Sequence, residues 1–142
     1  MIRMNGNFER LHTIAAGLER LASEGVRDAE HRASVAVFQT IEKQFAAGES
    51  AEGEKWAPLA KGGPSHLQDT GKMKRSLGVR GIGRGISVTI DKPAGYHQGG
   101  TRRMPARPIA PVNASPSSWD EAVKNAVREV VVQTIRGAAG GR

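Results

Sequence analysis

At 142 residues the chain suffices for one ordinary domain and leaves little room for a second. It has no cysteine, which removes a disulfide framework, a thiolate nucleophile and a cysteine-based zinc site. No apolar run approaches the roughly 18 to 20 residues that cross a bilayer, and Met1–Gly25 lacks the pattern of a secretory leader, so a soluble, cytoplasmic protein without membrane contact is expected.

The net charge of +7 is split unevenly: Met1–Gly71 carries eight Lys and Arg against ten Asp and Glu, and Lys72–Arg142 carries thirteen against four. Such asymmetry suits nucleic acid, head-to-tail association of identical subunits, or an acidic neighbour. In chain order, Asn7–Glu24 places Leu11, Ile14, Ala15, Leu18 and Leu21 at spacings of three and four, which predicts an amphipathic helix. Gly25 is its expected stop. Asp28 is the expected cap of a second helix to about Ala47, with Ala33, Val37, Phe38, Ile41 and Phe45 on one face, ended by Gly48.

From Gly48 to Gly71 the periodicity vanishes among glycines and prolines, so a long loop is expected, tacked to the core by Trp56. Leu77–Arg80 and Ile86–Asp91 read as two strands of a hairpin around Gly81, Gly83 and Gly85. After Pro93 the chain is expected to be irregular through Tyr96–Gly100 and extended through the proline-spaced Met104–Pro111. Ser117 or Ser118 then caps a helix from Trp119 to about Arg136, striped by Ala122, Val123, Ala126, Val127, Val130, Val131 and Ile135. The expectation is a single α+β domain over residues 1–142. N-terminal helices occupy 7–47, a loop and hairpin region occupies 48–115, and a C-terminal helix occupies 117–136, so that a small, mainly antiparallel sheet packs on amphipathic helices. Gly48–Gly71 and Gly95–Ser115 are expected as two long arms.

No enzyme motif is complete. His12 and His31 lack a second ligand at zinc-helix spacing. Gly71-Lys72 has neither the earlier glycine nor the following Ser or Thr of a phosphate loop, and the Gly81, Gly83, Gly85 alternation is not a dinucleotide fingerprint. Ser65, His66 and Asp69 are too close in sequence to form a triad. No catalytic activity, cofactor or metal is therefore expected. Lys72, Lys74 and Arg75, and later Arg102, Arg103 and Arg107, supply phosphate contacts, but there are only six aromatic residues and no helix-turn-helix or zinc-finger spacing.

The loops carry an ordered series: Gly53-x-x-Trp56-x-Pro58-Leu59, Leu67-x-Asp69-Thr70-Gly71-x-Met73-x-x-Ser76, Tyr96-His97-Gln98-Gly99-Gly100, and Pro105-Ala106-Arg107-Pro108. This series resembles the phage virion morphogenesis family, which includes Mu-type and P2-type tail completion proteins. The likeness spans about Phe45 to Pro111, and departs from the family's usual pattern between Tyr96 and His97, at Gly99 and at Ile109.

The resemblance implies a structural virion protein that acts in tail completion and head–tail joining. Its partners would be itself, as a ring-shaped hexamer, and the neighbouring neck, connector and tail tube proteins, with weak contact to packaged DNA. It would reside in the virion neck or tail, and in the host cytoplasm during assembly. The candidate assembly residues are Trp56, Asp69, Thr70, Gly71, His97, Gln98, Arg102, Arg103 and Arg107. Asp69-Thr70-Gly71 suits a turn in which Gly71 takes positive φ. Arg107, stiffened between Ala106 and Pro108, suits either a carboxylate or an intrachain brace, and His97 and Gln98 suit hydrogen-bonding anchors. The alternative is a basic, DNA-associated phage accessory protein.

Overall fold

Ala33, Val37, Ile41 and Phe45 fall on one face of a long helix, and all four are buried. In the computed structural model, which describes residues 15–16, 19–63, 65, 67, 71–83, 85–112 and 117–140, this helix is α1, Val26–Ala47. It is entered through one wide π-helical turn, Leu21–Gly25. The break expected at Gly25 is absent. Gly25 has ordinary helical angles, φ −65° and ψ −32°. A Cβ there would lie 2.7 Å from Leu21 Cδ1, so the glycine makes room for a side chain one turn earlier while the helix runs on. Asp28, expected as a cap, sits inside the first turn of α1, where the helix dipole favours it, and pairs with Arg32 at 3.2 Å. Leu11, Ile14 and Leu18 of the expected first helix lie outside the described residues.

α1 ends at Gly48, whose left-handed φ of 67° lets its N–H reach Gln44 O at 2.8 Å. Three further helices follow: α2 is Lys72–Arg75, α3 is Pro93–Gly99 and α4 is Ser118–Gly140. α3 replaces the irregular segment expected after Pro93. Proline presets φ for a first helical turn, and Gly95 and Gly99 do not stop a helix this short. α4 extends beyond the expected Arg136. Its start is capped reciprocally: Asp120 N–H donates to Ser117 Oγ at 3.3 Å, and Ser117 N–H donates to Asp120 Oδ2 at 2.7 Å. That carboxylate is held below its ordinary range, first by the Ser117 backbone N–H and then by the Ser117 hydroxyl.

α4 runs antiparallel to α1, with Trp119 hydrogen-bonded to Gln44 at one end and Gln133 to Arg32 at the other. Between them Ala126 and Val130 of α4 are buried. β1 (Gly78–Gly81) and β2 (Ile86–Thr89) form the expected antiparallel hairpin. Val79, Ile86 and Val88 pack against the core, and Arg80 and Thr89 are exposed. The class is α+β: helices with one small antiparallel sheet. The core joins Val37, Ile41 and Phe45 to Trp56, Met73, Leu77, Ala94 and Ile109. Burying each of its large apolar side chains contributes about 1.5 to 3 kcal/mol. Among the described residues, no helix is long and apolar enough to cross a membrane.

Candidate functional site

The segment after Gly48 folds back at once. Gly48 O accepts from Trp56 N–H at 2.8 Å, and Ser50 Oγ accepts from the N–H groups of Glu52 and Glu54 at 3.2 Å each. Trp56 is thereby delivered edge-on to Phe45, with ring centroids 5.7 Å apart. Its indole N–H then donates to Pro108 O at 2.8 Å. The expectation that Trp56 tacks the loop to the core holds.

Arg107 completes the junction from the other side. Its side chain is buried, and it donates from Nε to Ala57 O at 2.7 Å and from Nη2 to Pro58 O at 2.8 Å. A planar fork with several N–H donors suits two successive carbonyls, and its charge shortens and strengthens both bonds. Arg107 is thus the intrachain brace, and the carboxylate it could have met is replaced by backbone oxygens.

Gln98 reads three successive peptides of the same segment. Its Oε1 accepts from Ile109 N–H and Ala110 N–H, both at 2.9 Å, while its Nε2 donates to Ala110 O at 2.9 Å. His97 offers its carbonyl to Arg107 N–H at 2.7 Å. Its imidazole Nδ1 is buried without a hydrogen-bond partner. Burial, and then the Arg107 charge, hold this imidazole below its ordinary pKa. Gln44 ties the junction to both long helices, donating to Ile109 O at 3.0 Å and accepting from Trp119. The described parts of the two expected arms are therefore bonded to each other and to α1; they do not project as arms.

The junction presents a tight turn. Thr101 N–H donates to Met104 O at 2.8 Å and Met104 N–H to Thr101 O at 3.3 Å, leaving Arg102 and Arg103 exposed at the tip. Gly100 permits the entry to this turn: φ is 72°, and a Cβ would lie 2.8 Å from Ala106 N. Neither arginine side chain has an ion-pair partner among the described residues. Tyr96 lies exposed one turn before, on α3.

Of the other sequence candidates, Gly71 takes φ of 66°, as the expected turn requires, and Met73 two residues on is buried. Asp69 and Thr70 lie outside the described residues, as do His12 and His66. Sequence reasoning missed Gln44 and Glu30, and both carried a signal, because each is polar on the apolar face of α1. Glu30 grips the hairpin tip, accepting from Gly83 N–H at 3.2 Å and Gly85 N–H at 3.0 Å. An open groove of about 520 Å³ lies between α1 and α4, lined among others by His31, Val35, Thr40, Lys43, Ala122 and Ala126. No three His, Asp or Glu side chains converge on a metal position among the described residues.

The chain matches no family model, no curated protein and no solved structure.

Proposed function

We propose that this chain is a structural component of a tailed bacteriophage particle, acting in tail completion and head–tail joining at the neck. The observation that carries the reading is that the ordered loop motifs converge on one junction. Trp56 and Pro58 of the first motif are bonded to Pro108 and Arg107 of the last, and His97 of the third bonds Arg107 while Gln98 bonds the residues just beyond it. Leu67 and Met73 of the second motif pack in the adjoining core. Residues scattered over more than a third of the chain thus act as one mechanical unit, which holds the Arg102–Arg103 turn and α3 in fixed relation to the long helices. A rigid, braced surface of this kind suits docking between preformed assemblies, where ordering a loop on binding would cost affinity. In this reading the protein works as a ring of identical subunits, hexameric in its family resemblance, seated among neck, connector and tail tube proteins.

The test is electron microscopy of particles from a phage with an early stop codon in this gene. Filled heads beside unattached or abnormal tails are expected; intact, joined virions would sink the reading. One observation favours a second reading, a basic DNA-associated accessory protein: the exposed Arg102 and Arg103 lie in the strongly basic half of the chain. That reading requires DNA binding that weakens steeply between low and moderate salt, whereas a docking protein requires none.

A further inference from the structure

A two-stranded hairpin has two edges, and the register decides which peptide groups each edge leaves unused. Ile82 N–H donates to Gly85 O at 3.0 Å, and the pairing continues through Gly81↔Ile86, Arg80↔Ser87, Val79↔Val88 and Gly78↔Thr89. Bonded and non-bonded pairs alternate along an antiparallel ladder. Ser87 and Thr89 therefore spend their peptide groups on β1, and those of Ile86 and Val88 point away from it. One step beyond, Asp91 N–H is taken by Ser76 Oγ at 2.9 Å, so the peptide groups of Ile90 point the same way. β1 lies along α1 and β2 is the outer strand, and Glu30 fixes the tip between them. The outward N–H and C=O groups of Ile86, Val88 and Ile90 have no hydrogen-bond partner among the described residues. Among the described residues the edge is open.

We propose that the edge Ile86–Ile90 is a self-association site, at which β2 of a second copy pairs antiparallel about a two-fold axis through Val88. The sequence of the edge names its own partner. Ile86-Ser87-Val88-Thr89-Ile90 has the same character read in either direction. Antiparallel self-pairing sets isoleucine against isoleucine, serine against threonine and valine against valine, which are favourable cross-strand neighbours. The pairing also closes about six backbone hydrogen bonds with the groups that β1 leaves free. All the isoleucines and valines stay on the core-facing side, so two marginal hairpins become one four-stranded sheet with a continuous apolar face. Exposed edges are normally blunted by a charge, a proline or a bulge, and Ile86–Ile90 contains none of these. A self-complementary patch on a two-fold axis is the commonest way identical chains pair. This contact is independent of the neck reading and stands or falls alone.

The test is sedimentation velocity on the full chain with a proline placed where only the outer edge needs an N–H. The wild type should sediment as a dimer that dissociates on dilution. Val88→Pro should raise its dissociation constant by about tenfold or more, while far-UV circular dichroism stays unchanged because β1 does not use the Val88 N–H. As a second readout, V88C puts one thiol of this otherwise cysteine-free chain on the axis, where bonded antiparallel pairs stand about 5.5 Å apart at Cα, within disulfide reach. Mild oxidation should cross-link V88C into dimers, and Thr89→Cys, which faces serine and not itself, should cross-link far less. A wild type that stays monomeric at every concentration, an assembly that V88P leaves intact, or a V88C that does not cross-link would each overturn the proposal.

Discussion

The paired long helices and the loop junction are held by different physics. Between α1 and α4 the buried groups are mostly apolar, with Val37, Ile41 and Phe45 wholly buried. The ion pairs of that region, Arg32 with Asp28 and with Glu129, lie half exposed at 3.2 and 3.9 Å and contribute little in water. At the junction the decisive groups are polar and buried or half-buried: the Arg107 fork, the Gln98 amide, the Trp56 indole and the Gln44 amide, each bonded to backbone atoms eleven or more residues away in sequence. Apolar burial is non-directional and tolerates repacking. Hydrogen bonds in a buried site are directional, and one lost partner strands another group. The helices therefore supply stability, and the junction supplies a unique geometry for the turn it carries.

The strongest way to break this contrast is Arg107→Ala. It removes two charge-assisted bonds, to Ala57 O and Pro58 O, from a half-buried site, and a loss of about 1.5 to 3 kcal/mol is expected in urea unfolding. Hydrogen exchange should show where the loss falls: amides of Trp56 and of Arg107 to Ala110 should exchange faster by a larger factor than those in the middle of α1. Arg107→Lys should restore less than half, since an ammonium does not match two carbonyls held in a plane. Uniform acceleration across α1 and the junction would mean the two regions form one cooperative unit.

A smaller effect sharpens the helical side. Ser117→Ala removes the cap of α4 and should cost about 1 kcal/mol at neutral pH. Because Asp120 has its folded pKa lowered by Ser117, its contribution is present above the unfolded value and is lost as the pH falls through the folded one. The difference between wild type and S117A should accordingly narrow in acid, measured as thermal midpoints across the carboxylate range. A difference that stays constant down to full protonation would detach the hydroxyl from the carboxylate.

The two regions also differed in how far they could be read from the sequence. Periodicity of three and four revealed α1 and α4, and alternation at Ile86–Ile90 revealed the hairpin, because apolar burial imprints a repeat on the chain. The left-handed Gly48 and Gly71 were legible for the same local reason, that few residues other than glycine enter that conformation. Gly25 misled because its role is steric: it yields space to Leu21, and no local rule separates such a glycine from a helix stop. α3 was hidden because Gly95 and Gly99 read as breakers, whereas Gln98 holds that helix from outside through Ile109 and Ala110. Arg107 was recognised as a brace or a carboxylate ligand, but its actual acceptors, the carbonyls before and at Pro58, carry no side-chain signature. Tertiary polar bonds leave no period to detect, and Gln44 and Glu30 showed only as interruptions of an apolar stripe.

His97 provides the finest test of the contrast, because it places acid sensitivity in the junction and not between the helices. Its Nδ1 is buried without a partner, and both its burial and the Arg107 charge favour the neutral ring. The folded pKa lies below the ordinary value of 6.5, so the unfolded chain binds the proton more tightly. Stability should then be full above that value and decline as the pH falls below it toward the folded pKa. The ring is partly exposed, so solvent screening keeps the effect smaller than that of Ser117→Ala. His97→Asn cannot take up this proton, and the difference in thermal midpoint between it and the wild type should change between pH 7.5 and 5, roughly the span in which a histidine titrates. Exchange at Arg107 and its neighbours should rise in the wild type over the same range, since a charged imidazole beside a buried guanidinium loosens the segment whose Arg107 N–H the His97 carbonyl accepts. A midpoint difference independent of pH would mean that the imidazole reaches water on protonation and that the junction yields locally at no cost to the fold.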